Sequence, residues 1–195
     1  MMAMAHKGFA FLSMTKTGST SIEATFSRYA QITTRRPPPM KHMRAATFNR
    51  YIVPILESYG YPRSSYELVC IVREPVDWVA SWYRYRSREA AQKSSGYTGD
   101  MTFEEFVGKL LDEEVSLGSA TQFVSARGKR LVDRMYRYEH LGDAVEWMAG
   151  KLEIDTPTLK RVNTSPDRDL AVPASLRARL EERYAKDVAL YEAAL

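Results

Sequence analysis

Cys70 is the only cysteine in the sequence. One thiol excludes an intramolecular disulfide framework, and its place inside the apolar run ELVCIV predicts a buried, inert side chain. No run of about 18 apolar residues occurs, so a transmembrane helix is excluded and no membrane partner is expected. The opening stretch MMAMAHKGFAF has neither a long apolar core nor a clear cleavage site, so it does not read as a secretory leader. Only three histidines are present and no His/Cys/Asp/Glu group has metal-ligand spacing, so no metal site is expected. No long basic tract with interleaved aromatics stands out, so no nucleic-acid partner is expected. There is no internal repeat, and no low-complexity tract beyond Pro37, Pro38 and Pro39. The signature GK[ST] is also missing, which speaks against an ordinary ATP or GTP P-loop.

Hydrophobic residues make up 45% of the chain, enough for a sizeable core, and the length fits one domain spanning residues 1–195. The formal charge of +4 is a mild basic excess. It suits an anionic small ligand without demanding a polyanion.

The most informative stretch is FAFLSMTKTGSTSIEATF, from Phe9 to Phe26. Phe9–Leu12 has the length of a buried strand. Ser13 to Ser21 is small, polar and rich in hydroxyls, with one glycine, Gly18. From Ser19 a helical pattern begins, with Ile22 and Phe26 apolar and Glu23 in the first turn. Strand, glycine-bearing loop and helix start form a layout that binds phosphate, because free backbone N–H groups and the helix dipole face the anion. The same letters also describe a plain strand-to-helix turn with Ser19 as N-cap. Lys16 precedes Gly18 by two residues, whereas a Walker A lysine follows its last glycine.

The remaining periodicity alternates strands and helices, which favours an α/β fold on a parallel sheet. A helix is predicted from Ser19 to Tyr29, then a proline-rich loop around Arg35 to Pro39. A second helix covers Ala45 to Tyr59, with Pro54 kinking or interrupting it. Glu67–Val72 reads as a strand buried on both faces. Pro75 suits the first turn of a helix running to about Ala91. Gln92 to Met101 reads as a loop, and Thr102 with Glu105 as a capping box for a helix over Phe103–Leu111. A third strand is expected over Val132 to Tyr138, a helix over Leu141–Leu152, and a final helical region over Ala174 to Ala194 in two pieces. Trp78 and Trp82, four apart, read as neighbouring packing residues.

The sequence K-T-G-S-T-S resembles the 5′-phosphosulfate loop of sulfotransferases, which use 3′-phosphoadenosine 5′-phosphosulfate (PAPS) and release 3′,5′-ADP (PAP). IVREPVDWVASWY resembles the family's 3′-phosphate motif, an arginine at a strand end and a serine eight residues on, here Arg73 and Ser81. YRYEHLGD resembles its Y-E-x-L element, which would set Tyr138 against the adenine. RVNTSP resembles an N-x-S element, with Asn163 and Ser165. The resemblance implies a P-loop-kinase-like central parallel sheet flanked by helices. It further implies a sulfuryl transfer from PAPS to a hydroxyl or amine of a small-molecule or glycan acceptor, without a metal.

Residue by residue, the resemblance gives Lys16 the charge-stabilising role and Thr17, Gly18, Ser19, Thr20 and Ser21 the 5′-phosphosulfate contacts. For the general base it offers His42, in PMKHMRAAT, with Glu23 as the second candidate; His6 and His140 are less well placed. The family's usual proline before the lysine is Thr15 here, the tryptophan of many cytosolic members is Ser21, and the R-K-G element is absent. These departures favour the bacterial and carbohydrate branch and a soluble cytoplasmic protein. A nucleotide-dependent kinase and a non-catalytic nucleotide-binding or scaffolding protein stay open as alternatives. The acceptor and the oligomeric state are not legible.

Overall fold

The computed structural model describes residues 1–159 and 165–195. The chain opens with strand β1 (Met2–Met4), turns through a 3-10 segment at Ala5–Lys7, and returns as β2 (Phe9–Leu12). Gly8 closes that turn at φ +78, in the left-handed region that glycine occupies without strain. Helix α1 (Ser19–Phe26) follows, then a two-residue strand β3 (Ile32–Thr33) and a one-turn helix α2 (Pro38–Lys41). Next come α3 (Ala45–Tyr51) and α4 (Val53–Ser58), separated at Ile52 because Pro54 has no N–H to continue the first helix and is harmless in the first turn of the second.

Strand β4 (Glu67–Val72) leads to α5 (Pro75–Arg86), α6 (Phe103–Leu111) and α7 (Ala120–Val124). A small hairpin of β5 (Ser125–Ala126) and β6 (Lys129–Arg130) precedes β7 (Arg134–Arg137). The chain ends with α8 (Leu141–Leu152), α9 (Ala174–Arg183) and α10 (Ala185–Glu192).

Contacts group the described residues into two units, one of 1–73, 120–159 and 193–195, the other of 74–119 and 165–192. The first holds a five-stranded sheet in the order β3-β1-β2-β4-β7. β2, β4 and β7 are parallel neighbours, whereas β1 runs antiparallel to both β2 and β3. The sheet is therefore mixed where a parallel one was expected. The reason is local: a parallel crossover needs a dozen or more residues, and the connection from β1 to β2 has only Ala5 to Gly8. Met2, Met4, Phe9, Phe11, Val69, Ile71 and Tyr136 on the sheet share a core with Ile22 and Phe26 of α1 and Ala144, Val145, Met148 and Leu152 of α8. The alternate residues Ala10, Leu12, Leu68, Cys70 and Val72 are buried as well, as in a sheet covered on both faces. Burial pushes the Cys70 thiol up to about 12, which keeps it protonated and unreactive near neutrality.

Several boundaries differ from the sequence reading: α1 ends at Phe26 rather than Tyr29 and α5 at Arg86 rather than near Ala91, and two further differences have identifiable reasons. β7 begins at Arg134, not Val132, because the Asp133 carboxylate itself accepts the Leu68 N–H at 2.7 Å and pairs with Arg63. The proline tract is not wholly a loop: Pro37 is the N-cap of α2, and Pro38 and Pro39 occupy its first turn, where a missing N–H costs nothing.

The second unit is helical. Tyr83 of α5 lies against Phe103 and Phe106 of α6 at ring separations of 5.4 and 5.7 Å. Trp78 packs edge-on against both Trp82 and Tyr184. Thr102 and Glu105 form the expected capping box at the start of α6, the Thr102 hydroxyl accepting from the Glu105 N–H and the Glu105 carboxylate from the Thr102 N–H. Arg168 fixes the loop before α6 by donating to the Gly99 and Met101 carbonyls at 3.2 and 2.9 Å.

Candidate active site

The parallel register places three chain segments side by side at one edge of the sheet. Leu12 of β2 pairs with Cys70 of β4, and Val72 of β4 with Arg137 of β7. The loop after β2, Arg73 after β4 and Tyr138 after β7 thus leave the sheet from the same C-terminal edge. In open α/β sheets that edge is where ligands bind.

The loop is held in an unusual backbone conformation. Lys16 has φ +62 and Gly18 φ +72. A side-chain-bearing residue in that region costs about 1–2 kcal/mol, so the surroundings must hold Lys16 in place. One such contact is visible: the Lys16 carbonyl accepts from Arg73 Nη1 at 3.1 Å. A second brace is Thr17, fully buried, whose hydroxyl donates to the Met14 carbonyl at 3.0 Å. Gly18, rather than Ser19, is the N-cap of α1, and it supplies no side-chain cap. By position, the first N–H groups of the helix have no intrahelical acceptor. The carbonyl of Gly18 accepts from the Ser21 N–H at 3.0 Å, so that amide is engaged.

Arg73 and Tyr138 meet at this loop. The guanidinium carbon of Arg73 lies 4.4 Å from the centre of the Tyr138 ring, a cation–π geometry. A Cβ built on Gly18 would come to 3.5 Å from both Tyr138 Cε2 and Leu141 Cδ2, so the tyrosine ring also borders the glycine. Ser81 is buried on α5 and belongs to the second unit. Asn163 lies outside the described residues, while Ser165 is half-buried.

His42 also reaches the loop. It caps the C-terminus of α2, and its Nδ1 lies 2.7 Å from the Ser13 carbonyl. A carbonyl oxygen can only accept, so Nδ1 carries the proton and, in the neutral ring, Nε2 carries the lone pair. The half-buried ring has its pKa lowered chiefly by burial; the Ser13 hydrogen bond and Glu23 oppose this, and the Lys41 charge and the Met1 amine add to it. A neutral imidazole with a bare Nε2 is the form a general base requires.

Glu23 sits differently. It is buried, its Oε1 accepts from the Ser13 hydroxyl and the Met1 amine, and its Oε2 lies 3.3 Å from Lys41 Nζ. Both carboxylate oxygens are engaged, which leaves it poorly placed to take a proton from a ligand. His6 lies in the exposed turn between β1 and β2, and His140 is exposed just before α8.

Sequence reasoning missed Ser13 and Lys41 as members of this cluster. Lys41 Nζ donates to Thr20 Oγ1 at 2.9 Å as well as pairing with Glu23. The letters gave one signal, a lysine beside the candidate histidine, but a basic loop residue is usually solvated. A separate concavity of 370 Å³ lies in the second unit, bordered by Tyr83, Met101, Phe103, Glu105 and Arg168 among others. Of its charged members, Glu105 serves the helix cap, Arg168 donates to two carbonyls and Asp169 accepts from the Ala171 N–H, while Asp100 also borders it.

Among the described residues, no group of three or more His, Cys, Asp or Glu side chains could hold a metal ion, and no helix is long and apolar enough to cross a membrane. No family model matches the chain, and no curated protein matches it. Among solved structures, the chain is similar to a sulfotransferase from Alicyclobacillus acidocaldarius, at 15% identity over 95% of this chain and 94% of that one, with a TM-score of 0.45.

Proposed function

We propose that this chain transfers the sulfuryl group of PAPS to a hydroxyl or amine of a small-molecule or glycan acceptor, releasing 3′,5′-ADP. The observation that carries the reading is Arg73 anchored to the carbonyl of Lys16, at the mouth of a glycine-capped loop where an anion would meet free helix N–H groups. The 5′-phosphosulfate would lie on the amides of Gly18 to Thr20 with the Ser19 and Thr20 hydroxyls. Arg73 would meet the 3′-phosphate, for which a planar, permanently charged fork is suited. Tyr138 would border the adenine.

Sulfuryl transfer resembles phosphoryl transfer: the acceptor oxygen or nitrogen bonds to sulfur as the bond from sulfur to the phosphate oxygen breaks, and the electron pair leaves on that phosphate. Lys16 would meet the charge that grows there. The acceptor's proton would pass to Nε2 of His42, whose ring is neutral and oriented through Nδ1.

The test is release of 3′,5′-ADP from PAPS over a panel of hydroxyl and amine acceptors, with Lys16→Ala alongside. Loss of one preorganised donor to developing charge costs on the order of 10²–10³ in turnover. Lys16→Ala should therefore lose turnover by that factor with little change in nucleotide affinity. Normal turnover with weakened PAPS binding would make Lys16 a ground-state anchor only. No release of 3′,5′-ADP with any acceptor would favour a binding protein over a transferase.

A further inference from the structure

Glu23 is a carboxylate buried at the phosphate loop, and its partners form a closed ring. Its Oε1 accepts from the hydroxyl of Ser13. The carbonyl of the same Ser13 accepts from His42 Nδ1 at 2.7 Å. His42 is covalently next to Lys41, and Lys41 Nζ returns to Glu23 Oε2 at 3.3 Å. The ring joins three elements: the end of β2, the second turn of α1 and the end of α2. Lys41 also donates to Thr20 Oγ1 at 2.9 Å, which ties the ring to the first turn of α1.

α2 is a single turn of helix and could not hold a side chain by its own stability. The Lys41 contacts with Glu23 and Thr20 pin its C-terminal end to α1. The Ser13 hydroxyl, held by Glu23, helps fix the peptide whose carbonyl faces the imidazole. From this arrangement we propose that Glu23 is a positioning residue that, through Lys41 and Ser13, fixes His42 on the phosphate loop with its proton on Nδ1 and its Nε2 lone pair available. This role rests on the transferase reading for its purpose, but the ring itself does not.

The charged groups that act on His42 are Glu23, Lys41 and the Met1 amine. Replacing Glu23 by Gln removes the one anion among them, so protonated His42 keeps the Ser13 carbonyl but loses the opposite charge that favours it. Replacing Lys41 by Met removes a cation and should act in the opposite sense.

The experiment is an NMR titration of the His42 ring, with ring nitrogen shifts to read the tautomer, in the unmodified chain, Glu23→Gln and Lys41→Met. The expected result is a lower pH midpoint in Glu23→Gln, a higher one in Lys41→Met, and in both a neutral ring that no longer holds its proton mainly on Nδ1. With PAPS, Glu23→Gln should also lose turnover, by a factor approaching 10², as misplacing a catalytic group does, while 3′,5′-ADP affinity stays unchanged. If Glu23→Gln does not fold, the Lys41→Met titration decides alone. An unchanged midpoint and tautomer in the variants that fold would overturn the ring. If the unmodified chain turns over no PAPS, the transferase reading fails, and the titration still settles whether Glu23 positions His42.

Discussion

Gly18→Ala isolates the backbone geometry on which the site depends. Gly18 has φ +72, and the methyl group of an alanine there would sit 3.5 Å from Leu141 Cδ2 and Tyr138 Cε2, an ordinary van der Waals distance. Crowding therefore contributes little, and the cost is the left-handed backbone itself, about 1–2 kcal/mol for a residue with a Cβ. Alanine recovers about 0.4–1 kcal/mol by restricting the unfolded chain, which leaves a net loss of about 1 kcal/mol. For a chain of this length that corresponds to a fall in Tm of about 2–4 °C.

Gly150→Ala is the matched control. Gly150 lies inside α8, nothing stands within 4 Å of where its Cβ would be, and alanine is the better helix former. That variant should gain stability, so the pair should shift in opposite directions in urea melts with unchanged slope. An alanine at position 18 that is neutral or stabilising would show that the loop does not hold the left-handed conformation, and the alignment of Lys16 and Arg73 would lose its basis.

Two further outcomes can be checked with the same preparations. Thr102→Ala removes the cap of α6, whose hydroxyl accepts from Glu105 N–H at 3.1 Å; it should cost about 1 kcal/mol, read as a lower urea midpoint. His42 has a folded pKa below its unfolded value of 6.5, so the unfolded chain takes up this proton first as pH falls. Its contribution to stability is full above pH 6.5 and is lost as pH falls through the folded value. His42→Gln should flatten that limb of the stability profile; an identical profile would place His42 outside the linkage.

Much of this architecture was legible before any coordinates. Phe9–Leu12, Glu67–Val72 and Leu141–Leu152 occupy the segments their apolar patterns predict, because each is long enough for burial to dominate. The capping box at Thr102 was legible because its two partners are three residues apart. β1 was not: MAM has no alternation and low strand propensity, and it becomes a strand only through its pairing with β2. β3 was hidden for the same reason, being two residues whose partner is β1. The second unit was not visible either, because 74–119 and 165–192 are far apart in sequence and no change of composition marks their ends.

At the site, the sequence order placed Lys16, Gly18 and Arg73 near one another, since consecutive parallel strands end together. It could not show that Glu23 is enclosed by Ser13, Lys41 and the Met1 amine, because those contacts span 10 to 22 residues and depend on how α2 folds back.

The most direct test of the proposed nucleotide is a thermal-shift comparison of 3′,5′-ADP, 5′-AMP, ADP and ATP, on the unmodified chain and on Arg73→Ala. A ligand at a hundred times its Kd adds about 2.7 kcal/mol to stability, or about 5–10 °C in Tm for a chain of this size. 3′,5′-ADP should give a shift of that order and exceed the other three nucleotides, and Arg73→Ala should erase most of the difference between 3′,5′-ADP and 5′-AMP. Equal shifts from 3′,5′-ADP and 5′-AMP on the unmodified chain, or a larger shift from ATP, would contradict a PAPS-dependent site.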